Sequence, residues 1–121
     1  MNNVLLVFAG GGLGSLARYS VALLVKKFSP VDFPVATLIS NILSCLILAI
    51  AFGFFSQKLI AMPTLHLLII TGFCGGFSTF SAFSFETIEL VRLGQTLMAV
   101  INIAVSLITC FAIVFFIGKN T

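Results

Sequence analysis

Apolar runs of membrane length, separated by short polar stretches, divide the chain into four. The first extends from Val4 to about Val25 and stops at Lys26-Lys27. The second starts near Pro34, a residue suited to the first turn of a helix, and ends around Phe55. The third covers about Leu65 to Leu90 and leaves the apolar pattern near Glu86, Glu89 and Arg92. After a turn at Gly94-Gln95 the fourth runs from Leu97 to about Ile117. Each run holds about 20 residues, enough to cross the hydrocarbon core as a helix. Between them, Ser29-Pro30 with Asp32, and Gln57 and Lys58 with Pro63, read as short loops, and the tail is only Gly118 to Thr121. The pattern predicts an all-α membrane protein, a single domain over residues 1–121 with four transmembrane helices.

The third run is unlike the others. Its middle reads Gly72-Phe73-Cys74-Gly75-Gly76-Phe77-Ser78-Thr79-Phe80-Ser81-Ala82-Phe83-Ser84. Paired glycines weaken a helix, and Ser and Thr hydroxyls compete for backbone partners. We expect this helix to be broken near mid-membrane, which frees carbonyl and N–H groups that must face protein, water or an ion. The alternative is an unbroken helix using small residues for close packing. Packing accounts for the glycines but not for Phe80 and Phe83, which share a face beside Ser81 and Ser84.

Composition agrees with the membrane assignment. With 60% hydrophobic and 7% charged residues in a chain of 121, a soluble domain could not bury its apolar surface. The net charge of +3 does not point to nucleic acid, because the six basic residues are scattered at segment ends and form no stripe. Cys45, Cys74 and Cys110 lie inside apolar runs without metal-ligand spacing and read as reduced packing residues. No basic region precedes the first run and no Ala-x-Ala site ends it, so a cleaved signal peptide is not expected. Lys58 and Lys119 fall on one side of the bilayer, and Lys26, Lys27 and Arg92 on the other. So slight a bias leaves orientation to other features, or lets the chain insert both ways and pair antiparallel with itself.

Gly12-Leu13-Gly14-Ser15-Leu16-Ala17 fits the spacing of a dinucleotide-binding turn, with Asp32 downstream, but no alternation of strands and helices follows it. Gly10 and Gly14 read instead as a close helix–helix contact. Arg18, about two-thirds along the first span, either snorkels to the interface or forms a cationic vestibule that gathers anions. On the second span Thr37, Ser40, Asn41 and Ser44 fall largely on one face. On the fourth, Asn102, Ser106 and Cys110 recur every four residues, flanked by Thr109. Such polar stripes either glue helices together or line a path. Amide and hydroxyl donors suit anions, whereas cation paths use carboxylates or carbonyl rings. Phenyl rings present a positive edge, so Phe80 and Phe83 suit a small, hard anion. The acids Asp32, Glu86 and Glu89 lie near segment ends, which argues against a proton-coupled multidrug exporter. A non-transporting membrane assembly subunit remains the other rival class.

At these residues the chain resembles the small bacterial fluoride channels, the CrcB or Fluc family. The resemblance rests on Gly11-Gly12-Leu13-Gly14 with Ala17-Arg18-Tyr19, on Thr37-Leu38-Ile39-Ser40-Asn41, and above all on the run from Thr71 to Glu86. It implies an antiparallel, dual-topology homodimer in the bacterial inner membrane, with two pores that pass fluoride passively and relieve its toxicity. It implies a structural sodium ion held by backbone carbonyls of Gly75 and Ser78 from each subunit. Asn41, Phe80 and Phe83 match the family's pore asparagine and phenylalanine pair, Arg18 its vestibule arginine, and Asn102, Ser106 and Cys110 its polar track. Ser81 and Ser84 are further pore candidates. Ala36 and the Ser44-Cys45 pair depart from the family pattern, and Cys110 stands where a hydroxyl is usual. Some members pair non-identical subunits, an arrangement equally open to this chain.

Overall fold

The computed structural model describes residues 2–28 and 33–118. The loop with Ser29, Pro30 and Asp32 and the tail residue Lys119 lie outside the described residues. In chain order the elements are α1 (Asn3–Phe28), α2 (Val35–Phe54), α3 (Ser56–Ala61), α4 (Pro63–His66), a π-helical segment (Leu67–Cys74), α5 (Gly75–Phe77), α6 (Phe80–Arg92) and α7 (Thr96–Gly118). No strand occurs among the described residues. Four stretches, Asn3–Phe28, Val35–Phe54, Pro63–Arg92 and Thr96–Gly118, are long and apolar enough to cross a membrane. The protein is an all-helical, multi-pass membrane protein with four spans.

The stretch with Gln57, Lys58 and Pro63 is helical, not the loop that its polar residues suggest. Leu59 is buried and anchors α3, while Pro63 occupies the first turn of α4, where its missing N–H has no helical partner to lose. The α6–α7 turn at Gly94 closes as expected. The Gln95 N–H donates to the Leu90 carbonyl at 2.8 Å and the Gly94 N–H to Val91 at 3.0 Å. This pattern needs a left-handed residue, supplied by Gly94 at φ 79°.

α1 packs along the π-helical segment and α5, while α7 packs against α2 and α6. The first contact is backbone against backbone. A Cβ on Gly10 would run into the Leu68 carbonyl, and one on Gly14 into the Phe73 carbonyl, so the Gly-x-x-x-Gly pair lets α1 approach. The buried set mixes Ala49, Phe77, Phe83 and Leu90 with Thr37, Ser40, Ser44, Thr87, Asn102 and Ser106. Phe8, Ile60, Ile108 and Phe111 stand exposed on the outside. Apolar side chains thus face outward and polar ones inward, as a lipid solvent requires.

Candidate functional site: a cavity beside an extended Ser-Thr pair

The helical course of the third span stops at Phe77 and resumes at Phe80. Ser78 (φ −85°, ψ 157°) and Thr79 (φ −154°, ψ 117°) are extended. The glycines singled out in the sequence are themselves helical, Gly75 at φ −64° and ψ −34°. Their role is close approach: a Cβ on Gly76 would meet the Gly11 carbonyl. The departure falls on Ser78 and Thr79 because side chains there replace the lost ladder. Ser78 Oγ donates to the Cys74 carbonyl at 2.7 Å, and Thr79 Oγ1 caps α6 by accepting the Ala82 N–H at 3.1 Å. Asn41 on α2 grips Thr79 from both sides. Its Oδ1 accepts the Thr79 N–H at 2.8 Å and its Nδ2 donates to the Thr79 carbonyl at 3.4 Å. Below the pair, Ser44 Oγ donates to the Cys74 carbonyl at 3.0 Å.

These contacts border a cavity of about 200 Å³. Its lining brings together Asn41, Ser78, Phe80, Phe83, Ser106 and Cys110, all drawn from the sequence-based candidates. Cys45 and Thr79 also line it. The Phe80 and Phe83 rings lie 5.7 Å apart, tilted by 43°. They differ in setting: Phe83 is 9% exposed and Phe80 76%. Aromatic and aliphatic groups with a few neutral donors line this space, and no carboxylate borders it among the described residues.

Other candidates sit elsewhere. Asn102 is fully buried and donates to Thr87 Oγ1 at 2.9 Å, while Ser106 Oγ reaches Asn102 Oδ1 at 3.4 Å. Thr87, a residue that spacing did not mark, donates in turn to the Phe83 carbonyl at 2.7 Å. The chain Ser106–Asn102–Thr87–Phe83 therefore ties α7 to the turn carrying the inner ring. Thr87→Val is expected to lower stability by about 1–3 kcal/mol, because it strands the buried Asn102 amide. Thermal unfolding of the purified protein checks it. Ser81 is exposed with its Oγ 3.1 Å from Thr79 Oγ1, and Ser84 is half-buried on α6, outside the cavity lining. Gly75 lies on the outer face, in a shallow groove with Gly11, Gly12, Ser15 and Thr71.

Arg18 is directed inward. Its Nε donates to the Gly76 carbonyl at 3.2 Å, placing a cation at the C-terminal end of α5, where the helix dipole favours one. It also lines a second cavity, of about 350 Å³, with Thr37, Ser40 and Glu86. The single polar face expected on α2 thus divides, Thr37 and Ser40 toward this cavity and Asn41 toward the first. Glu86 keeps its place near the end of the third span. It points inward there, and its Oε1 is buried with no partner among the described residues.

Four apolar spans around a cavity whose largely apolar lining carries a few amide, hydroxyl and thiol groups define a small polytopic membrane protein. The chain belongs to the CrcB family. The family model described as "CrcB-like protein, Camphor Resistance (CrcB)" matches residues 5–118. A relative from Flavobacterium psychrophilum is 41% identical over 106 residues, covering 88% of this chain and 86% of its own. One from Escherichia coli K12 is 41% identical over 111 residues (90% and 85%), and one from Pyrococcus abyssi 36% identical over 115 residues (95% and 92%). All three carry the name fluoride-specific ion channel FluC.

Proposed function

We propose that the chain forms a fluoride-selective channel that lets the anion leave the cytoplasm down its own gradient. The cavity carries this reading: it gathers Asn41, Ser106 and the Phe80–Phe83 pair in a chain whose relatives are named fluoride-specific ion channels. Fluoride holds its water tightly, so a pore must return several hydrogen bonds for those removed. Asn41 supplies a neutral donor that does not trap the ion with a fixed charge, and Ser106 supplies a second by exchanging its long 3.4 Å bond to Asn102 Oδ1 for one to the anion. The ring edges of Phe80 and Phe83 exclude larger, softer anions. Arg18 raises the local anion concentration from the neighbouring cavity. No covalent or protonated intermediate is needed; fluoride that enters as HF and dissociates inside leaves passively.

The functional unit is an antiparallel homodimer with two pores. The extended pair Ser78–Thr79 falls at the middle of the 30-residue span Pro63–Arg92, which supports an interruption near mid-membrane. Around it the chain suits a hard monovalent cation. The Thr79 N–H, which a continuous helix would send to the Gly75 carbonyl, goes to Asn41. Among the described residues no three His, Cys, Asp or Glu side chains converge, so neutral carbonyls are the donors on offer. The Gly75 and Ser78 carbonyls of two copies would hold a sodium ion, whose charge joins the two interruptions. A side chain on Gly75 would meet nothing within 4 Å in its own chain. Gly75→Val is therefore expected to leave the subunit folded and to weaken the dimer. Replacing sodium by N-methylglucamine should lower the wild-type dimer's melting temperature, with no such effect in Gly75→Val. Equal sodium dependence in both would remove Gly75 from the ion's surroundings.

A second reading, a proton-coupled exporter, draws on the inward-facing Glu86 alone. Efflux from liposomes holding only this chain separates the two. The channel releases fluoride and retains chloride without a pH gradient; release only under a proton gradient favours the exporter.

A further inference from the structure

Two of the three thiols meet in the cavity. Cys45 of α2 and Cys110 of α7 both line it, and both are free and half-buried. The third, Cys74, is buried and turned to the Ser44 carbonyl at 3.8 Å. We propose that Cys45 and Cys110 together bind one soft, two-coordinate metal ion of the mercuric class inside the cavity. The donor set decides the class. Two sulfurs bordering one cavity, with no cluster of three or more His, Cys, Asp or Glu among the described residues, cannot complete the tetrahedral shell of zinc. Thiolates select soft ions, and a mercuric ion is satisfied by two in a line. Binding replaces both S–H bonds by S–Hg bonds and releases two protons. The product is neutral, so its burial between apolar helices carries no Born penalty. The remaining lining, the amide and hydroxyls of Asn41, Ser78, Thr79 and Ser106 with Leu107 and two phenyl rings, offers hard or apolar groups that do not compete with sulfur for the metal.

The site stands on the thiols alone; that its occupation blocks conduction rests on the fluoride-pore reading. The test adds mercuric acetate, one equivalent per chain, to the purified full-length protein. X-ray absorption at the mercury edge then counts sulfur neighbours, and the same samples are assayed for fluoride efflux in liposomes. Two sulfurs in the wild type and one in Cys45→Ala and in Cys110→Ser support the site, with zinc acetate leaving the flux of every sample unchanged. One sulfur in the wild type, or two retained in either variant, overturns it. Each variant is compared with its own metal-free flux. If the site and the pore coincide, the wild type loses most of its flux and keeps that loss after a wash with a monothiol, whereas each variant, holding the metal by one sulfur, recovers its flux. Two sulfurs with undiminished flux would uphold the metal site and count against the cavity as the conducting path.

Discussion

Phe80→Ile is expected to abolish fluoride flux while the folded dimer persists. The ring stands 76% exposed on its own chain, so exchanging it for a branched aliphatic of similar hydrophobicity costs stability only about 0.5 kcal/mol. What disappears is the positive ring edge beside the cavity. Phe83 provides the contrast. At 9% exposure, with its carbonyl bonded to Thr87, truncation to alanine is expected to cost about 3–5 kcal/mol as well as flux. Efflux together with size-exclusion chromatography distinguishes the two. A Phe80→Ile dimer that conducts normally would remove the outer ring from the path, and loss of the dimer would make it a packing residue.

Asn41→Asp should be the most damaging near-isosteric change. The aspartate keeps an acceptor for the Thr79 N–H, now 2.8 Å from Asn41 Oδ1, but turns an acceptor oxygen to the Thr79 carbonyl in place of the 3.4 Å donation. That exchange costs about 1–3 kcal/mol, with the shorter Thr79 N–H bond still holding the extended pair. For an anion in the cavity the change is far larger. At about 4 Å and an effective dielectric near 20, a carboxylate repels it by about 4 kcal/mol, roughly a thousandfold in rate. Thermal unfolding reads the first effect and fluoride efflux the second. Flux within tenfold of wild type would show that Asn41 only braces Thr79.

The four spans were legible because run length reports directly how much backbone an apolar solvent must cover. The close contact at Gly10 and Gly14 and the turn at Gly94 were legible too, since each requires the absence of a side chain. Less legible was how each helix is rotated and what its polar atoms bond. Spacing placed Asn102, Ser106 and Cys110 on one stripe, yet Asn102 is taken up by Thr87, a partner one helix away. Arg18 looked like a choice between snorkelling and vestibule, and its Nε found the Gly76 carbonyl. Glu86 looked terminal by position and is internal by rotation. The hydroxyls of Ser78 and Thr79 mark the departure from the helix in the sequence, but their partner Asn41 lies 38 residues away from Thr79. Local propensity has no access to such a partner.

The measurement closest to the central claim is the zero-current voltage across a planar bilayer holding only this chain. With fluoride at a tenfold gradient, an opposing chloride gradient and equal pH, a fluoride-selective passive pore sets that voltage about 59 mV from zero, in the direction fluoride dictates. A voltage that follows chloride, or one that appears only when a pH difference is imposed, would contradict it.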